Sequence, residues 1–449
     1  MTPGMNASSK RVIADLKELA KLTSDERGAQ RVAWGPVWRK AREWFSGKVS
    51  RELGLSTKRD GAGNLWATLP GESKKSIVIG SHLDSVPGGG WLDGVLGVLA
   101  GLEVLRLYGK GGQRPPLTLH VVDWADEEGA RFGRSLTGSA ASAGALNAHK
   151  ELAHLVDRNG VKLPAALEEN GITLEGMGTA RKYFDALDAA AYLELHIEQG
   201  PVLQEMKEPV GVVLGTMGVE RHHLRFIGQA AHSGAAPLHL RQDAFLAAAR
   251  FALAVQDVAV ALSGKTPRTR VVATCGVVKV EPNFVTAVPG RTEISIDLRA
   301  LDAKVLARML EGAKKASVAA AKQQHVKVEW SQLHKITPRI FDETLTAFVR
   351  KSVKEVTGRA PEIPSGPLHD AAEMADIVPT AMVFAQSSPG VSHTRIEDTP
   401  EPALDKSIRS FLGLVEKTVQ HLSLPLQPKK KKSAARSRKG TSTTLSGVR

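Results

Sequence analysis

Three apolar runs in this chain end in acidic or histidine residues, and that repeated ending constrains the fold more than any other feature. Ser76-Ile-Val-Ile79 leads into Gly80-Ser-His-Leu-Asp84. Leu117-Thr-Leu-His-Val-Val-Asp-Trp124 leads into Ala125-Asp-Glu-Glu-Gly129, and Ala191-Tyr-Leu-Glu-Leu-His-Ile197 into Glu198-Gln-Gly-Pro201. Short apolar runs bounded by turn residues have the pattern of buried strands. Val95 to Tyr108 has the pattern of a helix, and helix-like polar stretches fill the chain to about Ala190. Strands alternating with helices predict an α/β layered domain. In open sheets of that kind, ligands gather beyond the carboxyl ends of the strands.

The candidates at those ends are His82, Asp84, Glu127, Glu128 and His196. Asp93 joins them from a Gly-rich loop at the start of a helix, and His393 from Ser388-Pro-Gly-Val-Ser-His393, after the predicted strand Thr380–Ala385. Taken singly, each has an ordinary reading. Loop Asp and His residues cap turns, residues 126–128 suit a solvated acidic turn, and His196 suits a satisfied core histidine. Together, His82, Asp93, Glu128, His196 and His393 form a set of three imidazoles and two carboxylates. Such a set suits zinc, or manganese, cobalt and nickel. A carboxylate shared between two ions would make a dinuclear site, with the ions ~3.5–4 Å apart. Asp84, two residues after His82, is placed to hold the imidazole's second nitrogen. Glu127 sits beside Glu128 on a turn, where one can ligate while the other acts as a general base.

The rest of the chain predicts the architecture. Helical spacing runs over Ser9–Leu22 and Arg31–Leu53, a turn over Asp60–Asn64 and a strand over Leu65–Leu69. From about Gly211 the order is strand (219–228), helix (241–260), strand (270–280), strand (292–299), helix (302–323), strand (326–330). That β-α-β-β-α-β succession is ferredoxin-like. Helices over 341–357, 370–375 and 403–422 then return the chain to the first domain. The expected fold is α/β: a layered mixed-sheet catalytic domain (1–210 and 333–425) with an inserted smaller α+β ferredoxin-like dimerisation or lid domain (211–332), and a disordered basic tail (426–449). Two or three domains suit 449 residues.

Composition narrows the function classes. The formal net charge of +13 suggests nucleic acid until it is located: eight of the positive charges lie from Lys429 onward, with no acidic residue among them. Such a tail reads as a solvated extension with weak, salt-dependent polyanion contact at most. No apolar run approaches the ~20 residues of a membrane helix, and Met1–Lys10 has no signal-peptide core. A single cysteine, Cys275, permits no intrachain disulfide and fits a cytoplasmic location.

With these motifs in view, the chain resembles the hydantoinase/carbamoylase family of metal-dependent amidases, within the clan of dinuclear aminoacylases and carboxypeptidases. The resemblance rests on Gly80-Ser-His-Leu-Asp84, Leu92-Asp-Gly-Val-Leu-Gly-Val-Leu-Ala-Gly-Leu-Glu103, Glu127-Glu-Gly-Ala-Arg-Phe-Gly133 and Glu194-Leu-His-Ile-Glu-Gln-Gly-Pro201. It continues through Gly228-Gln-Ala-Ala-His-Ser-Gly234, Arg241-Gln-Asp-Ala244, Asp297-Leu-Arg299, His369-Asp-Ala371 and Ser392-His393, as far as about residue 422.

The resemblance implies two divalent ions per subunit. His82 and His196 would hold one, Glu128 and His393 the other, and Asp93 would bridge them. Asp84 would support His82, and Glu127 would be the general base and acid. His232 would stabilise the oxyanion from the partner subunit of a homodimer. Arg299 would grip the substrate carboxylate, with Gln199, Thr286 and His369 on the substrate side. The expected substrate is a small anionic ureido or amide compound: an N-carbamoyl-L-amino acid, or allantoate as the alternative. Further alternatives are a dipeptidase or aminoacylase of the same clan and a non-catalytic binding protein. No ligand or base departs from the family pattern. Thr286 stands where the pattern has Asn, Pro367-Leu368 where it has smaller residues, and Gly88 and Thr394 where it has Asn. These departures leave the substrate open.

Overall fold

The computed structural model describes residues 4–112 and 114–424; the expected tail lies outside the described residues. The larger sheet has nine strands. Its centre is four parallel strands in the spatial order Leu117–Trp124, Ser73–His82, Ala189–Ile197, Thr380–Ala385. Antiparallel partners flank them: Leu65–Leu69 beside Leu117–Trp124, and Val210–Thr216 beside Thr380–Ala385. The central strands read as continuous apolar runs because both faces are covered. Ile77, Ile79, Leu119, Val121, Leu193 and Leu195 pack under helices Gly4–Thr23, Pro36–Leu53, Val95–Gly109, Glu343–Thr357 and Glu401–Ser423. Val78, Val122, Trp124, Tyr192 and Phe384 face a second core with Phe184, Leu203 and Met374. Because the four central strands are parallel, their carboxyl ends share one edge, and every loop that carries a metal-ligand candidate opens there.

A four-stranded antiparallel sheet makes the smaller domain, in the order Val271–Glu281, Arg291–Ala300, Gly218–Ile227, Lys327–Ile336. Helices Ala244–Leu262 and Ala303–Gln323 cover one face around Phe226, Phe251, Ile296 and Met309. Asp243 and Asp302 begin these helices by accepting two backbone N–H bonds each, the standard satisfaction of orphan donors at a helix start.

Several expected boundaries move. Residues 210–216 pair inside the nine-stranded sheet, so the crossing into the small domain falls at Met217 rather than at 211. The last small-domain strand runs to Ile336, past the expected 330, because its pairing with Gly218–Ile227 continues through an irregularity between Gln332 and His334. The expected helix from Arg31 starts only at Pro36: Gly35 and Pro36 form its first turn, and Arg31–Trp34 is a buried loop. One helix, Ala244–Leu262, is long and apolar enough to cross a membrane by length and composition, contrary to the sequence expectation. Its Ala247, Phe251 and Val255 face the small-domain core, while Leu253 and Val260 are exposed.

Candidate active site and metal centre

The loops after the parallel strands converge on Asp93. His82, Asp93 and His196 place ligand atoms within 4.8 Å of one another, and so do Asp93, Glu128 and His393. Asp93 belongs to both groups: its Oδ1 is 3.2 Å from His196 Nε2 and its Oδ2 is 3.4 Å from His393 Nε2. Glu128 Oε2 is 3.2 Å from His393 Nε2. Gly94 makes the approach of Asp93 to His82 possible. Its φ is +69°, and a Cβ there would lie 2.4 Å from the His82 carbonyl oxygen. The Gly-rich run before it serves close approach as well: a Cβ on Gly90 would lie 1.9 Å from Glu397 Oε1. Asp126, Gln199 and His393 all hold left-handed backbone, a costly conformation for residues with a Cβ that concentrates at functional sites.

The hydrogen bonds test whether this set suits cations. His82 Nδ1 faces the Asp84 carbonyl oxygen at 3.1 Å, and His196 Nδ1 faces the Ile197 carbonyl oxygen at 2.9 Å. Carbonyls only accept, so both imidazoles carry their proton on Nδ1 and direct the Nε2 lone pair inward. Those Nε2 atoms lie 3.5 Å apart, beside the Asp93 carboxylate, in a buried position. Lone pairs converging out of water repel unless a cation lies between them. The donor set fits divalent metal.

Electrostatics agree with that reading. Burial pushes His82 down to about 3 and lowers His196, so both rings are neutral and able to donate a lone pair. Burial acts to raise Asp93, but the hydrogen bond from His393 and the imidazoles around it outweigh that and hold Asp93 below the usual carboxylate range. Glu127 and Glu128 are pushed well above that range, first by burial; the charge of Asp370 adds to it for Glu127, and that of Asp93 for Glu128. Glu127 Oε2 stands 3.7 Å from His82 Nε2, in neither ligand group. It lines a cavity of about 420 Å³ with Glu128, His196, Gln199, Arg299 and His393.

Asp84 acts differently from expectation. Its carboxylate is 3.6 Å from His82 Nδ1, which faces the Asp84 backbone carbonyl more closely. The carboxylate accepts the N–H groups of Glu127 at 3.3 Å and Glu128 at 3.1 Å. It therefore holds the turn that carries Glu127 and Glu128, while the Asp84 backbone carbonyl holds the histidine.

The substrate-side expectations divide. Gln199 Nε2 donates to both Asp93 oxygens at 3.0 Å. His369 is buried against the His196 ring, centroids 4.3 Å apart, with Nε2 unpartnered. Arg299 lines the cavity, and its Nε and Nη2 bind Asp297 while Nη1 binds the Gly366 carbonyl. His232 and Thr286 are not brought to the metal groups of their own chain. They lie exposed on the small domain, where His232 pairs with Ala287 and Ser233 N–H donates to the Thr286 carbonyl.

Two site residues escaped the sequence reading. Glu397 accepts the backbone N–H groups of Asp93 and His393 and the Ser392 hydroxyl, so it ties the shared carboxylate to the His393 loop. An acidic residue four positions after His393 was its only signal. Arg31 is fully buried, donates to the Leu83 carbonyl at 2.7 Å and faces the charges of Asp93, Glu397, Asp84 and Glu128. Its position in an apparent helix concealed it.

Comparison with known proteins places this geometry. The profile of Peptidase family M20/M25/M40 matches residues 78–417. An N-carbamoyl-L-amino acid amidohydrolase from Geobacillus stearothermophilus is 34% identical over 86% of this chain and 91% of its own length. An allantoate amidohydrolase from Bacillus subtilis is 29% identical over 88% and 93%. The crystal structure of a hydantoinase/carbamoylase family amidase from Burkholderia ambifaria superposes with a TM-score of 0.81 at 31% identity, covering 92% of this chain and 97% of that one.

Proposed function

Because the chain belongs to Peptidase family M20/M25/M40, and within it to the hydantoinase/carbamoylase amidases, we propose that its cleft hydrolyses the ureido or amide C–N bond of a small N-carbamoyl-L-amino acid, with allantoate as the alternative substrate. The enzyme is a metal-dependent hydrolase of carbon–nitrogen bonds other than peptide bonds. The observation that carries the substrate reading is Asp93 shared between two ligand groups, with Glu127 beside them in a cavity of about 420 Å³, a size suited to a small molecule.

His82 and His196 would hold one divalent ion, Glu128 and His393 a second, and Asp93 both. Zinc, manganese, cobalt or nickel there would polarise the scissile carbonyl and lower the pKa of water. Glu127 takes the proton from the attacking water and returns it to the leaving nitrogen, a task that suits a carboxyl with a raised pKa. Arg299 keeps N–H donors on its terminal nitrogens beyond the three bonds it makes, enough to clamp a carboxylate. The protein's single cysteine suits a reducing cytoplasm.

A panel of N-carbamoyl-L-amino acids, allantoate, β-ureidopropionate and dipeptides, run with each metal, tests the substrate reading. The ureido acids are expected to exceed dipeptides by at least about tenfold in kcat/KM. Cleavage of dipeptides alone would establish the peptidase alternative.

We also propose a homodimer in which His232 and Thr286 complete the partner's cavity. In support, both are exposed near Phe284 and Val285, which are 70% and 96% exposed, and the outer face of helix Ala244–Leu262 shows Leu253 and Val260. Mixing two inactive variants, His232→Ala and Glu127→Gln, should then restore about a quarter of the sites, because random exchange makes half the dimers mixed and each mixed dimer has one intact site. A mixture as inactive as its components, with subunit exchange demonstrated, would place His232 outside the reaction.

A further inference from the structure

Beyond Arg299 the metal cavity continues into a second cavity of about 460 Å³, and Gln199, Arg299 and Pro367 line both. Arg270 lies in its wall. It immediately precedes the strand Val271–Glu281, where Val272 pairs with Arg299, so the two arginines belong to the same part of the small domain. They flank Gly366: Arg299 Nη1 donates to its carbonyl at 2.9 Å, and Arg270 Nη2 lies 3.7 Å from where a Cβ would stand.

The two guanidinium groups differ in their partners. Arg299 is bound to Asp297, as is Arg221. Arg270 makes no ion pair and no side-chain hydrogen bond among the described residues, and its Nε is buried without a partner. The acid acting on it, Glu198, places its two oxygens 2.8 Å from the Val202 and Leu203 N–H groups and caps the helix there. A half-buried guanidinium whose neighbouring acid is engaged in capping a helix, and which makes no hydrogen bond of its own among the described residues, is costly to retain, and an incoming carboxylate would satisfy it bidentately.

We propose that Arg270 reads a second carboxylate on the substrate, so that the favoured substrates are ureido diacids of the N-carbamoyl-L-aspartate and N-carbamoyl-L-glutamate type. Arg299 takes the α-carboxylate and Arg270 the side-chain carboxylate. This assignment rests on the hydrolase reading above. It makes Arg270 a specificity residue, distinct from a latch that closes the small domain onto Glu198.

The test compares kcat/KM of the metal-reconstituted full chain for N-carbamoyl-L-glutamate and N-carbamoyl-L-glutamine, in the wild type, Arg270→Gln and Arg270→Lys. Sites built to bind a polar group discriminate strongly against an analogue lacking it. The wild type is expected to favour the diacid by about tenfold or more, mostly through KM. Arg270→Gln should bring that ratio near one and leave the neutral substrate within about threefold, while Arg270→Lys keeps part of the preference. Equal loss on both substrates would mean a latch, and an unchanged ratio would mean no contact; either overturns the assignment. A wild type that cleaves the neutral substrate as well as the diacid overturns only the role of Arg270, whereas one that cleaves no ureido acid overturns the hydrolase reading with it.

Discussion

Glu127→Gln is expected to lower kcat by about 10³-fold while both metal ions stay bound and KM moves little, the range for loss of a general acid–base group being about 10² to 10⁴. The amide keeps the shape of the side chain but cannot take up and return a proton. Glu127 belongs to neither ligand group, so its replacement leaves the ligands in place. It is 7% exposed, and burial together with the charges of Asp370 and Glu128 raises its carboxyl well above the usual range. Initial rates and elemental metal analysis on the same preparation check the prediction. Full turnover by the variant would remove Glu127 from the mechanism, and loss of metal would reassign it as a ligand.

Asp93→Ala should have the larger effect on metal content, because the residue serves both ligand groups. Metal affinity is expected to fall at both positions by more than the ~10–100-fold typical of a supporting residue, and activity with it. His393→Ala should remove one ion and leave the other with His82 and His196. Equal metal loss in the two variants would argue against a shared carboxylate.

Metal removal from the wild type adds a pH signature. Glu397 is pushed up to about 7 and Glu194 to about 8, both by burial first, and Glu127, Glu128 and Asp84 lie well above the carboxylate range. Unfolded carboxyls ionise near pH 4. The folded metal-free chain therefore holds more protons than the unfolded one, and its stability falls as pH rises through those values. The depressed imidazoles of His82 and His196 act in the opposite sense, but only below about pH 6.5, where unfolded histidines are protonated. Between roughly pH 6.5 and 8 the Tm of the metal-free protein should fall, and added zinc or manganese should raise it most at the upper end, where the ligands no longer hold protons. A metal-free Tm that rises over that interval would contradict the burial of these acids.

Much of this site is legible without coordinates because its residues sit at recognisable ends. A buried strand declares itself by an apolar run, and His82, Glu128 and His196 each follow one. Motif spacing then adds Asp93 and His393. Glu397 and Arg31 are not legible in this way. Glu397 acts on backbone N–H groups 304 and four residues away, and Arg31 lies in a stretch whose apolar spacing imitates a helix that Gly35 and Pro36 delay. The spacing of Asp84 predicts support for His82 alone, and the fold adds a second task, holding the Glu127–Glu128 turn.

The sequence by itself determined the layered α/β class, the ferredoxin-like insertion and the chemistry available at the strand ends, because hydrophobic period and residue type are local properties. Only the tertiary structure decided that Asp93 is common to both ligand groups, since four parallel strands must first bring their carboxyl ends to one edge. It alone placed His232 and Thr286 away from their own chain's metal groups, and it alone showed Arg270 beside Arg299 with its Nε buried and unpartnered. Those facts depend on distances between residues far apart in the chain, which packing sets and local sequence does not encode.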